Sequence, residues 1–120
     1  MLEKRLAKRR HFFYTLEVYE QGKEDKLGFI GDISSDGLMF VSETKWYPLE
    51  KTYQIRIKLP GQLKTNNNEE EQYLPLSVII KWIKVDTNPQ LFRIGCQINH
   101  IAEEYKPILK SLVELVEDSD

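Results

Sequence analysis

The sequence predicts a mainly β fold: a small six-stranded antiparallel β-barrel with one C-terminal α-helix packed on it. Three observations lead there. Short segments alternate apolar and polar residues, most clearly at 52–59, where Tyr53, Ile55, Ile57 and Leu59 interleave with Gln54, Arg56 and Lys58. Turn-forming Gly, Pro, Asn and Asp punctuate the chain between those segments. The tail then changes period, with Ile101, Tyr105, Ile108, Leu109, Leu112 and Val116 recurring at helical spacing. Six strands separated by turns and followed by one amphipathic helix fit a closed antiparallel sheet with the helix on its surface.

Taken in order, residues 13–20 alternate well enough for a first strand, and 21–25, with Gly22 and several charges, read as a hairpin loop. Residues 26–33 return as the second strand. Residues 37–42 are a third and fully apolar one. A link holding Pro48 leads to the fourth strand at 52–59, which Pro60-Gly61 ends. A polar, acidic loop tip spans 66–70, where Glu69 and Glu70 follow three asparagines and read as solvated rather than metal-binding. Residues 73–85 and 91–99 form a long hairpin around Asp86 to Gln90. In the helical tail, Pro107 marks either a kink or the true helix start.

A chain of 120 residues with 41% apolar and 30% charged residues is one ordinary globular domain. No apolar run is long enough to cross a bilayer, and the start lacks the apolar stretch of a signal peptide, so a cytoplasmic location without membrane insertion is expected. The single cysteine, Cys96, excludes an internal disulfide and a cysteine-based zinc site; lying on an alternating strand between Ile94 and Ile98, it reads as a small core residue. His11 and His100 have no acid–histidine spacing that would make them metal ligands. Trp46 and Trp82 read as core or barrel-rim packing before base stacking. Charge is unevenly spread. Residues 1–10 carry five basic residues against one Glu, which gives +4 and leaves −6 for the remainder of a total of −2. An acidic body with a basic arm argues for a local anion site and against broad nucleic-acid binding.

Two polar clusters carry the chemistry. Arg5 and Arg9 stand four residues apart, and Asp32, Ser34 and Gly37 follow one hairpin later on a turn between two apolar runs. A guanidinium is a rigid fork of donors suited to phosphates and to the acceptor edge of guanine. A carboxylate accepts from the donor edge of the same base. Together they suggest a small anionic guanine nucleotide.

The constellation resembles the PilZ domain, a bacterial receptor module for cyclic di-GMP whose pattern is RxxxR followed by (D/N)xSxxG. Arg5, Arg9, Asp32, Ser34 and Gly37 fill every position. The stretches 27–43, 53–60 and 82–95 also look like successive strands of the family, which implies the same barrel and helix. The resemblance implies that Arg5 and Arg9 wrap the ligand's phosphates and bases, with Lys4, Lys8 and Arg10 as steering charges. It implies that Asp32 accepts from guanine nitrogens and that Ser34 donates to a base or phosphate. Each of these two also has a local reading, as an Asx-type and an ST-type turn residue. Gly37 supplies positive φ or close backbone approach. A second register, Arg10 with Tyr14 in place of the second arginine, stays open.

The expectation is therefore a non-catalytic receptor without metal or cofactor, in two parts. Residues 1–12 form a flexible basic arm that orders on binding cyclic di-GMP, and 13–120 form the barrel with its helix. The signal passes to an unidentified downstream protein, and the chain is a monomer or weak homodimer. One alternative is a PilZ-like adaptor that binds no nucleotide. Another is a nucleic-acid-binding barrel using Phe12, Phe13 and Tyr14, which the acidic body disfavours. No nucleophile–base pair and no phosphate-cradling glycine loop support an enzyme.

Overall fold

In the computed structural model, residues 16–45, 47–63 and 72–117 are described. Six strands, β1 (Glu17–Glu20), β2 (Lys26–Ile33), β3 (Gly37–Ser42), β4 (Thr52–Lys58), β5 (Tyr73–Val85) and β6 (Phe92–His100), precede one helix, α1 (Lys106–Glu117). All pairings are antiparallel, and the sheet closes on itself in the order β1-β2-β3-β6-β5-β4.

Alternation explains the core. On β4, Ile55 and Ile57 are fully buried while Gln54 is exposed, and on β3 Leu38, Phe40 and Ser42 face inward. The third strand reads as apolar throughout, yet only every second residue lies in the interior; Met39 and Val41 are half-buried on the outer face. Phe40, Tyr47 and Tyr53 meet edge to face at 5.5 and 5.9 Å, and the Tyr47 hydroxyl pairs with the buried Ser42 Oγ at 2.8 Å. That bond satisfies two hydroxyls that would otherwise be costly to bury.

Closure runs through β1 and β4. Val18 pairs with Ile57, and on the outside the Arg56 guanidinium lies 5.0 Å from the Tyr19 ring and 4.5 Å from the Tyr73 ring. The same guanidinium donates from Nη1 to the Glu20 carbonyl at 2.8 Å, so cation–π packing and a hydrogen bond clamp three strands together.

After β6 the chain makes a 3-10 turn at Glu103–Tyr105 and enters α1. Pro107 falls in the first helical turn, where its missing N–H has no intrahelical partner to lose, so it sets the start and does not kink the helix. Leu109, Leu112 and Val116 bury one face of α1 against the barrel. No helix among the described residues is long and apolar enough to cross a membrane.

Candidate functional site

β2 and β3 are joined by the turn that holds the second polar cluster. Ser34 builds it: its hydroxyl accepts from the backbone N–H of Asp36 and Gly37 at 3.3 and 3.2 Å and donates to the Gly37 carbonyl at 3.3 Å. The Ser34 N–H also donates to the Gly37 carbonyl at 2.8 Å, and Asp32 Oδ1 accepts from the Ile33 N–H at 3.0 Å. The ST-type reading of Ser34 is therefore present, while Asp32 accepts from the N–H of the next residue within β2 and not from the N–H two residues on that defines an Asx turn. Gly37 does not have positive φ; among the described residues the only glycine that does is Gly22. Gly37 is needed for close approach instead, because a Cβ there would sit 2.6 Å from the Cys96 carbonyl oxygen on β6. The Ile98 N–H donates to the Asp36 carbonyl at 2.8 Å, which ties the turn to β6.

Two bulges decide what this turn faces. Ile30 pairs with Phe40 and Asp32 with Met39, so Gly31 is an extra residue in β2. Without it, Asp32 would share the inward parity of Ile30; with it, Asp32 turns outward and Ile33 returns to the core. The same happens on β5. Ile80 pairs with Cys96 and Trp82 with Gly95, which leaves Lys81 as the extra residue. Glu50 holds that bulge: its N–H donates to the Ile80 carbonyl at 2.7 Å and its carboxylate meets Lys81 Nζ at 2.9 Å. Trp82 is thereby swung out of the core.

The consequence is one outward row across four strands: Asp32, Met39, Gly95 and Trp82, joined pair by pair. Three inter-strand spacings of ~4.8 Å make it ~14 Å long. Gly95 in the row and the bulged Gly31 beside it make room for large neighbours. A Cβ on Gly31 would lie 2.7 Å from the Met39 methyl carbon, and a Cβ on Gly95 would overlap the Trp82 indole, which lies against the bare backbone. Trp82 remains 39% exposed, a large aromatic face held open to solvent. A cavity of about 230 Å³ between the turn and this row is lined by Asp32, Ser34, Gly37, Met39, Trp82 and Gly95, among others. The largely buried Cys96 also lines it, and burial pushes the pKa of its thiol up to about 12.

The structure thus brings Asp32, Ser34 and Gly37 together, while Arg5, Arg9, Arg10 and Tyr14 lie outside the described residues. Trp82 is the feature that alternation misses, because its position depends on the bulge at Lys81. A signal for it exists in hindsight. A glycine inside a strand marks a bulge or a close approach, and Gly95 stands opposite a tryptophan. Trp46 is outside the described residues. No group of His, Cys, Asp and Glu among the described residues is arranged to hold a metal ion.

Comparison with known proteins gives two positive findings. The PilZ domain family model matches residues 3–116. Among solved structures, the Bacillus subtilis inhibitor of motility (MotI/DgrA) shares the fold, with a TM-score of 0.64 at 16% identity. The match covers 84% of this chain and 46% of that one, so the chain spans about half that protein's length. No curated protein matches the sequence.

Proposed function

The chain belongs to the PilZ domain family, and from that membership we propose that it is a cyclic di-GMP receptor that orders its N-terminal arm on ligand binding and signals to a protein partner. The observation that carries the reading is the row from Asp32 to Trp82. It offers a carboxylate at one end, an aromatic face at the other and a glycine-flattened floor between. A guanine lying on the indole would direct its donor edge toward Asp32. Base–aromatic stacking is typically worth ~1–3 kcal/mol.

Topology supports the role given to the arm. The Ile30 N–H donates to the Leu16 carbonyl at 2.8 Å, so Leu16 lies against β2 at Ile30, two residues before Asp32. At ~3.3–3.6 Å per residue, the chain lets Arg10 reach ~20 Å from Leu16 and Arg5 nearly twice that. Both arginine registers, Arg5 with Arg9 and Arg10 with Tyr14, fall within range of the row. The two phosphates on each ligand molecule would offset half of the +4 charge of the arm and favour its folding over the site. The partner would then meet a surface of altered shape and charge.

The test is isothermal titration of cyclic di-GMP into the wild type, Arg9→Ala and Asp32→Ala. Micromolar or tighter binding by the wild type, about −8 kcal/mol or better, is expected, with loss in both variants while their circular dichroism stays native. Absence of heat with the wild type at high concentration would replace the receptor reading with the nucleotide-independent adaptor.

A further inference from the structure

One face of the Trp82 indole lies against the bare backbone at Gly95, which leaves a single face open. That face is already covered by a charge. Lys84 stands two residues further along β5, on the same side of the strand and about 6.8 Å away along it. Its ammonium nitrogen sits over the indole, 5.1 Å from the ring centroid. We propose that Lys84 is a phosphate-binding residue of the nucleotide site, its ammonium held on the indole until a base displaces it. The proposal rests on the cyclic di-GMP reading and adds a contact to it.

The charges around Lys84 are compensated and its own is not. β5 and β6 carry three Lys or Arg side chains, Lys81, Lys84 and Arg93. Lys81 Nζ meets the Glu50 carboxylate at 2.9 Å, and Arg93 Nε meets Asp86 Oδ1 at 2.7 Å. Lys84 is paired across the sheet with Arg93, a like charge, and has no carboxylate partner among the described residues. A cation without a counterion, next to an open aromatic face, suits a ligand that is planar and anionic at once.

The shape of guanine then decides where its phosphate goes. The donor edge of the purine and the nitrogen that carries the sugar lie on opposite sides of the ring system. A base on the indole with its donor edge toward Asp32 therefore sends its ribose and phosphate off at the Trp82 end of the row, where Lys84 stands. Base and ammonium cannot share one face, so stacking releases the lysine. Its flexible four-carbon stem lets the ammonium turn to the phosphate that arrives with the base. A charge-assisted bond to phosphate is stronger than contact with an exposed ring, so the exchange favours a phosphorylated guanine over a neutral nucleoside.

Calorimetric titration of cyclic di-GMP into the full chain tests this, with Lys84→Gln and Lys84→Arg beside the wild type. Lys84 is exposed, so both variants should keep native circular dichroism and the wild-type denaturant midpoint. Lys84→Gln should bind about tenfold more weakly, and Lys84→Arg within about threefold of the wild type. The gap between the wild type and Lys84→Gln should narrow as salt rises from about 50 to 500 mM. Equal or tighter binding by Lys84→Gln would overturn the proposal, since the ammonium would then be only a cap on the indole. A loss that arginine does not restore, or that salt does not narrow, would overturn it as well, because shape rather than charge would be at work. Each of these outcomes leaves binding by the wild type, and with it the receptor reading, intact. A wild type that gives no heat overturns the receptor reading itself, and the role of Lys84 falls with it.

Discussion

At Gly95 the missing side chain lets an indole lie flat against the sheet, and this is where the site is most open to a decisive substitution. Gly95→Ala forces a methyl group into the space of Trp82. Overpacking of this kind typically costs ~1–3 kcal/mol, so denaturant midpoints should fall and the tryptophan emission should shift as the ring is pushed outward. Trp82→Ala is the complement. The residue is 39% exposed and its ring packs on the Gly95 backbone, so denaturant midpoints should fall as well, while affinity for cyclic di-GMP should drop about ten- to a hundredfold if a base stacks there and circular dichroism stays native. Unchanged affinity in calorimetry would remove Trp82 from the site. The turn was legible because Asp, Ser and Gly at short spacing have local chemistry that needs no tertiary context. The outward tryptophan was not, because its orientation is set by a bulge whose anchor, Glu50, lies on a distant segment. For Gly37 the sequence leaves positive φ and close approach open, and the Cys96 carbonyl decides for close approach.

Among the elements, the long β5–β6 hairpin has a tip with its own acid sensitivity. Arg93 Nε donates to Asp86 Oδ1 at 2.7 Å, and the Asn88 N–H donates to Oδ2 at 3.2 Å. The guanidinium bond, helped by the backbone donors, holds the Asp86 carboxyl below its usual range. A folded-state pKa below the unfolded value means that this stabilisation is full above the ordinary carboxylate range and is lost as pH falls through the lowered pKa. Asp86→Asn should therefore flatten the acid limb of a melting-temperature profile taken from pH 6 down to pH 2; an unaltered limb would show that the tip does not contribute. Element boundaries were largely legible. Strands at 26–33, 37–42 and 73–85 coincide with the observed β2, β3 and β5, since turn residues and alternation agree there. β4 ends at Lys58, one residue before the expected end, and β6 runs Phe92–His100 instead of 91–99. For the first strand, expected at 13–20, β1 spans Glu17–Glu20, and 13–15 lie outside the described residues. The tail is helical as its period requires, but a 3-10 turn precedes Lys106, so α1 starts beside Pro107 rather than at Ile101.

For the whole molecule, the receptor reading divides labour between a fixed barrel and a responsive arm. Buried residues from every strand and from α1 form one apolar cluster, which gives the barrel little freedom to change shape. Backbone 15N relaxation with and without cyclic di-GMP should accordingly show order gained in residues 1–12 while barrel amides keep their order parameters. An arm equally ordered in both states would falsify the switch even if the ligand binds. The barrel and its helix could be read from the sequence because alternation and turns are local signals. The row that completes the site could not, because it arises only when four strands are laid side by side. Closure has a last, practical consequence. A sheet that ends on itself presents no strand edge for another sheet to extend, which removes the commonest seed of fibrillar aggregation. The purified domain should therefore tolerate high concentration, and any assembly seen there would be written in side chains rather than in borrowed main-chain hydrogen bonds.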